Sequence, residues 1–338
     1  MKKSVFIGAL AFAGLAAGAA AAQSTLEEVT NRGELRCGVS TGLVGFAAPN
    51  SAGEWEGFDV AVCRAVAAAV LGDPSAVEFI PTTGKTRFTS LNSGEIDMLA
   101  RNTTWTFSRD VDLNFEFTGV NYYDGQGFMV PASLGVSSAT ELDGATVCIQ
   151  TGTTTELNLA DFFRSNGMSY EPVPIETNAE AQQQFLAGTC DVYTTDASGL
   201  AATRAAFPNP GDYVLLPEIV SKEPLGPLVR HGDNQWGDIV RWTLNALITA
   251  EELGVTGADA ANPVESNNPE VNRLLGTAGT LGEMLGLDNA WAARAIAASG
   301  NYGEIFEANI GESTAIGLAR GLNAQWTDGG LLYSPPFR

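Results

Sequence analysis

The sequence predicts an α/β protein made of two strand–helix units followed by a helical C-terminal segment. Two observations carry this. Short strand candidates and helix candidates alternate twice along the chain, over residues 34–100 and again over 145–193. Past Pro227 the apolar spacing turns largely helical.

The first unit opens with a strand over residues 34–39 (ELRCGV) and a Gly/Pro/Asn-rich loop over 46–57. In GFDVAVCRAVAAAVLGDP, Phe58, Val62, Val66 and Val70 recur at helical spacing. Asp59 favours the N-terminal end of that helix, and Gly72 and Pro74 stop it. A strand over 77–81, a helix over 85–92 ended by Ser93-Gly94, and a strand over 96–100 complete a βαβαβ order that asks for parallel pairing. The second unit repeats the grammar: strand 145–149, turn 150–155, helix 156–165, strand 173–175, helix 179–186, strand 190–193. The Gly/Thr-rich turn before a helix suits either an anion site on backbone N–H groups or simple N-capping by Thr153 or Thr154. Helices are expected over 236–253 and 289–299, and Tyr302, Phe306 and Ile310 continue the pattern at i, i+4, i+8.

The N-terminus carries Met1-Lys2-Lys3, then an apolar Ala/Gly-rich run over 5–22 ending in Ala20-Ala21-Ala22 before Gln23-Ser24-Thr25. That is the pattern of a secretory signal peptide cleaved near Ala22. No cysteine lies near the cleavage point to take a lipid, and no other long apolar run suggests a membrane anchor. Acidic residues number 39 against 18 basic, a net charge of −21, which argues against nucleic acid and against anionic membranes. An anionic ligand would need a locally positive pocket.

Cys37, Cys63, Cys148 and Cys190 form an even set in an exported chain and point to disulfides. Three pairings are open; 37–63 with 148–190 closes two loops that do not overlap. Zinc is a poor reading, since there is no CxxC and His231 is the only histidine. The GxSxG, P-loop and HExxH patterns are absent, and the Asp110-Val-Asp112 run lacks the glycine and glutamate of a calcium loop. No cofactor is expected.

RNTTWTFSRDVDLNFEF, from Arg101 to Phe117, sets two of the scarce arginines around three threonines. An arginine beside hydroxyls can receive a carboxylate; it can equally be a surface charge paired with Asp110 or Asp112.

The stretch GFDVAVCRAVAAAV closely resembles the signature of the polar amino-acid-binding proteins of bacterial ABC importers, solute-binding family 3. Ala61 departs where the family usually has an acid. The likeness continues through SGEIDMLARNTTWTFSRD, at Gln150-Thr-Gly-Thr-Thr and at Cys190-Asp-Val-Tyr-Thr-Thr-Asp196, covering about residues 26–228. The longer tail after about Gly232 resembles the subgroup that takes glutamate, glutamine, aspartate and asparagine, or amino acids generally.

The resemblance implies a two-lobed type II, Venus-flytrap fold, akin to the binding fold of ligand-gated ion channels, with two hinge crossings. Lobe one would hold residues 24–127 and 223–338 with the C-terminal extension, and lobe two residues 128–222. Hinges would fall near residues 127–130 and near Pro224. The 37–63 and 148–190 pairing then keeps each bridge inside one lobe. Arg109 matches the arginine that forks onto the ligand α-carboxylate, with Thr104 adding backbone and hydroxyl contacts and Asn102 on the same approach. Asp196 matches the carboxylate that takes the ammonium, although a helix-capping role before Ala197 is also open. Gln150, Thr153 and Thr154 match contact positions of lobe two. Arg87 falls where dicarboxylate-binding relatives place an arginine, and Ser40 and Phe46 would line the same pocket. Arg101 is expected to be structural or solvent-facing.

The expected function is therefore that of a monomeric periplasmic receptor that delivers an L-amino acid (Glu, Gln, Asp or Asn) to an inner-membrane ABC permease, without catalysis. The alternatives are a general L-amino-acid receptor, a dehydratase-like enzyme on the same scaffold, and a sensor subunit.

Overall fold

The computed structural model describes residues 24–338; the signal peptide expected over 1–22 lies outside the described residues. Among the described residues fourteen short strands follow in chain order: β1 Leu35–Ser40, β2 Ala48–Pro49, β3 Trp55–Glu56, β4 Val77–Thr82, β5 Met98–Leu99, β6 Phe115–Phe117, β7 Tyr122–Asp124, β8 Gln126–Pro131, β9 Ala145–Gln150, β10 Tyr170–Ile175, β11 Val192–Asp196, β12 Tyr213–Leu215, β13 Glu223–Leu225 and β14 Leu228–Arg230.

They form two five-stranded sheets, ordered β4-β1-β5-β14-β6 and β10-β9-β11-β8-β12. In each, the βαβαβ stretch supplies a parallel core: β1 pairs parallel with β4 and β5, and β9 with β10 and β11. Antiparallel strands complete both sheets. The chain passes between them along a two-stranded ribbon, β7 against β13. Pro224 lies in that ribbon, whereas residues 127–130 sit one strand further on, inside β8 of the second sheet.

The elements agree with the spacing in kind and differ at their ends. The loop over 46–57 contains the β2–β3 hairpin, because Asn50 Oδ1 accepts from the N–H groups of Ala52 and Glu54 and closes the turn. The strand expected over 96–100 shortens to Met98–Leu99, and that expected over 190–193 shifts to Val192–Asp196, which puts Asp196 at its end.

Helix Phe58–Leu71 explains its alanines: it is buried on nearly all sides. The tail helices Asn234–Glu252, Trp291–Ser299 and Tyr302–Asn309 share one apolar core with it, including Ala65, Ala69, Ala246, Ala295 and Ile296. Small side chains permit this close approach. Arg294 ties the two together by donating to the carbonyls of Ala68 and Ala69, and Ser299 Oγ donates to the carbonyl of Ala61. Ala61 is partly buried against that core, so an acidic side chain at this position would be pressed against the tail.

Disulfides join Cys37–Cys63 and Cys148–Cys190. The first links β1 to helix Phe58–Leu71; the second starts from β9 and ends just before β11. No helix among the described residues is long and apolar enough to cross a membrane.

Candidate functional site

Between the two sheets lies a cavity of about 20 Å³. Seven of the ten residues expected at the site line it: Arg87, Asn102, Thr104, Gln150, Thr153, Thr154 and Asp196. Arg101 lines it as well. Arg109, Ser40 and Phe46 do not. Ser40 is buried and accepts from Asn178 Nδ2 across the cleft at 3.1 Å, and Phe46 packs edge-on against Phe58 and Tyr122.

Three guanidiniums crowd one side. Arg87, at the start of helix Arg87–Asn92, is 2% exposed; Nη1 donates to Thr103 Oγ1 at 3.1 Å and Nη2 to the Gly152 carbonyl at 3.5 Å. Arg101 is buried rather than solvent-facing, and its Nε donates to the Thr82 carbonyl at 3.0 Å. Arg109 stands on the single π-helical turn Ser108–Asp112 and donates through Nη1 to the Thr104 carbonyl at 2.9 Å. Arg87 and Arg109 both lie over the Phe88 ring, at 4.8 and 5.2 Å from its centre.

Among the described residues none of the three makes an ion pair. Asp110, offered with Asp112 as the alternative surface partner of Arg109, accepts from Trp105 Nε1 and faces His231. Burial first, and then Arg109, holds the Arg101 guanidinium down at about 10. Burial brings Arg109 to about 10 against the pull of Glu223 and Asp196. Burial and the two neighbouring cations press Arg87 well below the ordinary arginine range.

The opposite side is acidic. Asp196 closes β11 at the N-cap position of helix Ala197–Ala205, but its side chain makes no capping bond. Burial, then Asp124 and Glu223, push its carboxyl well above the usual carboxylate range. Asn102 Nδ2 donates to Asp196 Oδ2 at 3.2 Å. Asn102 is itself held at φ 24°, outside the usual range for a side-chain-bearing residue, and its N–H donates to Asp59 Oδ2 at 3.1 Å. Asp59 also accepts from Asn121 Nδ2 at 3.2 Å and is pushed up to about 6 by burial. The sequence reading placed Asp59 at a helix end; the fold uses it to brace the backbone of the site.

The Gly/Thr turn resolves by residue. Thr153 caps helix Thr154–Ser165 and donates to the Gln150 carbonyl at 2.7 Å. Thr154 Oγ1 donates at 2.9 Å to Glu223, a residue absent from the sequence reading. Glu223 is 1% exposed on β13 and also accepts from Thr104 Oγ1, from Asn158 Nδ2 at 2.7 Å and from Ser221 Oγ at 2.6 Å. Nothing local in KEPLGP marks it, because three of its four partners, Thr104, Thr154 and Asn158, come from distant parts of the chain.

Two polar atoms of lining residues are buried with no partner: Arg87 Nε, a donor, and Asn102 Oδ1, an acceptor. With the arginines on one side and Asp196 on the other, the cleft can hold a molecule bearing carboxylate and ammonium together. A buried charge is costly unless paired, so such a molecule would stabilise the closed arrangement.

The family described as bacterial extracellular solute-binding proteins, family 3, matches residues 35–256. The chain is 67% identical to the glutamate/glutamine/aspartate/asparagine-binding protein BztA of Rhodobacter capsulatus over the full length of both. It is 55% identical to the general L-amino acid-binding periplasmic protein AapJ of Rhizobium johnstonii, again over the full length of both. Among solved structures, an ABC transporter periplasmic binding protein from Brucella ovis with glutathione bound superposes with a TM-score of 0.91 at 55% identity, covering 94% of this chain and all of the other.

Proposed function

The chain belongs to the bacterial extracellular solute-binding proteins, family 3, and from that premise we propose that it is a periplasmic receptor for glutamate, glutamine, aspartate and asparagine that hands its ligand to an ABC permease. The observation that carries this reading is a pair of buried arginines, Arg87 and Arg101, facing buried Asp196 across one small cavity, with buried Arg109 just behind its wall and none of the three in an ion pair among the described residues. Arg109 receives the α-carboxylate with Thr104 beside it, Asp196 receives the ammonium, and Arg87 meets the side-chain carboxylate or amide. Gln150, Thr153 and Thr154 close the second-sheet face. The names of the full-length relatives support the ligand class, and those relatives are binding proteins rather than enzymes.

The first lobe carries residues 24–121 with 226–338 and the second 126–222, so the expected boundary at 127/128 moves ahead of β8, and the β7–β13 ribbon is where the lobes rotate. A cavity of about 20 Å³ holds little more than a water, so the lobes must part to admit an amino acid. The glutathione bound by the Brucella ovis relative bears a glutamyl zwitterion at one end, which makes a broader ligand range the second reading.

Calorimetric titration of the ligand-stripped mature protein tests both. The panel is glutamate, glutamine, aspartate, asparagine, arginine, leucine and glutathione. Saturable binding confined to the first four is expected. Binding across the panel establishes a general receptor, and binding of none overturns the reading.

A further inference from the structure

The hydroxyls of Thr104 and Thr154 line the cavity, lie 3.3 Å apart, and both donate to the same oxygen, Oε2, of Glu223. A hydroxyl has one proton and two lone pairs, while a carboxylate has lone pairs only. Each threonine has therefore spent its proton on Glu223. What it can still offer a ligand is an acceptor. The other oxygen of Glu223 is held by Asn158 Nδ2 and Ser221 Oγ, so the carboxylate has four donors and no freedom to turn away.

The neighbouring amide is oriented in the same sense. Asn102 Nδ2 is committed to Asp196, which directs Oδ1 as the free atom, and that oxygen is buried without a partner. The cavity thus gathers the Asn102 Oδ1, the lone pairs of Thr104 and Thr154, and the Asp196 carboxylate on one side, with guanidinium donors on the other.

We propose that Glu223 is a positioning residue that sets the hydrogen-bond polarity of the cleft, turning Thr104 and Thr154 into acceptors so that, with Asn102 and Asp196, they select a primary ammonium. This rests on reading the cleft as an amino-acid receptor. It reassigns the Thr104 hydroxyl: a ligand carboxylate against that oxygen would meet lone pairs, so the carboxylate goes to the guanidiniums and the hydroxyl faces the ammonium. Discrimination against ligands without an amine then comes from repulsion as well as from Asp196. Because Glu223 lies on the crossing ribbon and accepts from Thr104 on one side and from Thr154 and Asn158 on the other, the polarity is set only when the cleft is closed.

The test compares L-glutamate with glutarate, which keeps both carboxylates and lacks the amine, as competitors for labelled glutamate. The proteins are wild type, Glu223→Met, Thr154→Val and Thr154→Ser, each with its ligand-free melting temperature. Glutamate should weaken at least tenfold in Glu223→Met and in Thr154→Val and stay within threefold of wild type in Thr154→Ser. Glutarate inhibition should be unchanged or stronger in Glu223→Met, where the freed hydroxyls can donate. Unchanged glutamate affinity in either of the first two variants, or an equal loss for glutarate, overturns the role of Glu223. Should Glu223→Met not fold, the Thr154 pair decides by the same criteria. Wild type that binds no amino acid overturns the receptor reading, and this inference with it.

Discussion

Asn102 and Asp196, 94 positions apart in the chain, meet across the cleft through one hydrogen bond of 3.2 Å. The contact joins the loop after β5 to the end of β11, and so couples the two sheets at the point where a ligand ammonium would sit. Its amide orients one carboxylate and leaves one acceptor free, which makes it sensitive to both the charge and the presence of a ligand.

Arg109 and Arg87 should separate in their effects. Arg109→Ala is expected to abolish binding of every ligand, since losing one partner of a buried charged contact costs about 2–5 kcal/mol, about a thirtyfold to several-thousandfold change in affinity. Arg87→Ala should weaken glutamate and aspartate far more than glutamine and asparagine. Titration of both variants against the four ligands checks this, and equal losses for all four in Arg87→Ala would remove it as the selector.

Acidity should stabilise the ligand-free protein. Burial pushes Asp59 and Asp124 up to about 6 and Asp196 well above the usual carboxylate range. Unfolded, these carboxyls titrate near about 4. Between those values the native state binds more protons than the unfolded one, so stability is greatest at the acid end and is lost as pH rises through the folded values. Calorimetric melting of ligand-free protein should therefore give a higher Tm at pH 5 than at pH 7, and Asp124→Asn should flatten the difference. Glutamate affinity should move the opposite way, because a protonated Asp196 no longer attracts an ammonium. A Tm that falls from pH 7 to pH 5 would contradict the assignment.

Each disulfide should contribute independently. The bridges span 26 and 42 residues, for which loop-closure entropy suggests about 3–4 kcal/mol apiece. Replacing Cys37 and Cys63, or Cys148 and Cys190, with serine should lower the unfolding free energy extrapolated from urea denaturation by that amount. Ligand affinity should change little in either case, since neither pair touches the cavity.

Gly226 links β13 to β14 where the chain re-enters the first sheet, and a Cβ there would lie 1.9 Å from the carbonyl oxygen of Gly119. Backbone cannot yield as a side chain does. Gly226→Ala should cost at least about 2 kcal/mol by forcing the two segments apart. It should also slow closure, read by stopped-flow fluorescence with glutamate; normal stability with normal closure would show that the ribbon tolerates the shift.

Much of this protein was legible in the order of its residues. Periodicity marked both βαβαβ stretches, because a helix face and a strand face impose different apolar spacings on local sequence. The residues around Arg109 left a carboxylate receptor and a surface charge both open, and only the resemblance to a known family proposed Arg109 and Asp196 as the two ends of a zwitterion site. Local signals stop where contacts become distant. Glu223 reads as one acid among 39, and only the fold delivers Thr104, Thr154 and Asn158 to its two oxygens. Asp59 likewise reads as a helix-end charge until Asn102 and Asn121 arrive on it. By itself, the sequence determined the two α/β units, the family likeness and the candidate charges. Which groups are buried, which protons are already spent and which atoms remain free for a ligand were decided by tertiary structure, because hydrogen-bond saturation and desolvation depend on neighbours that no spacing along the chain specifies.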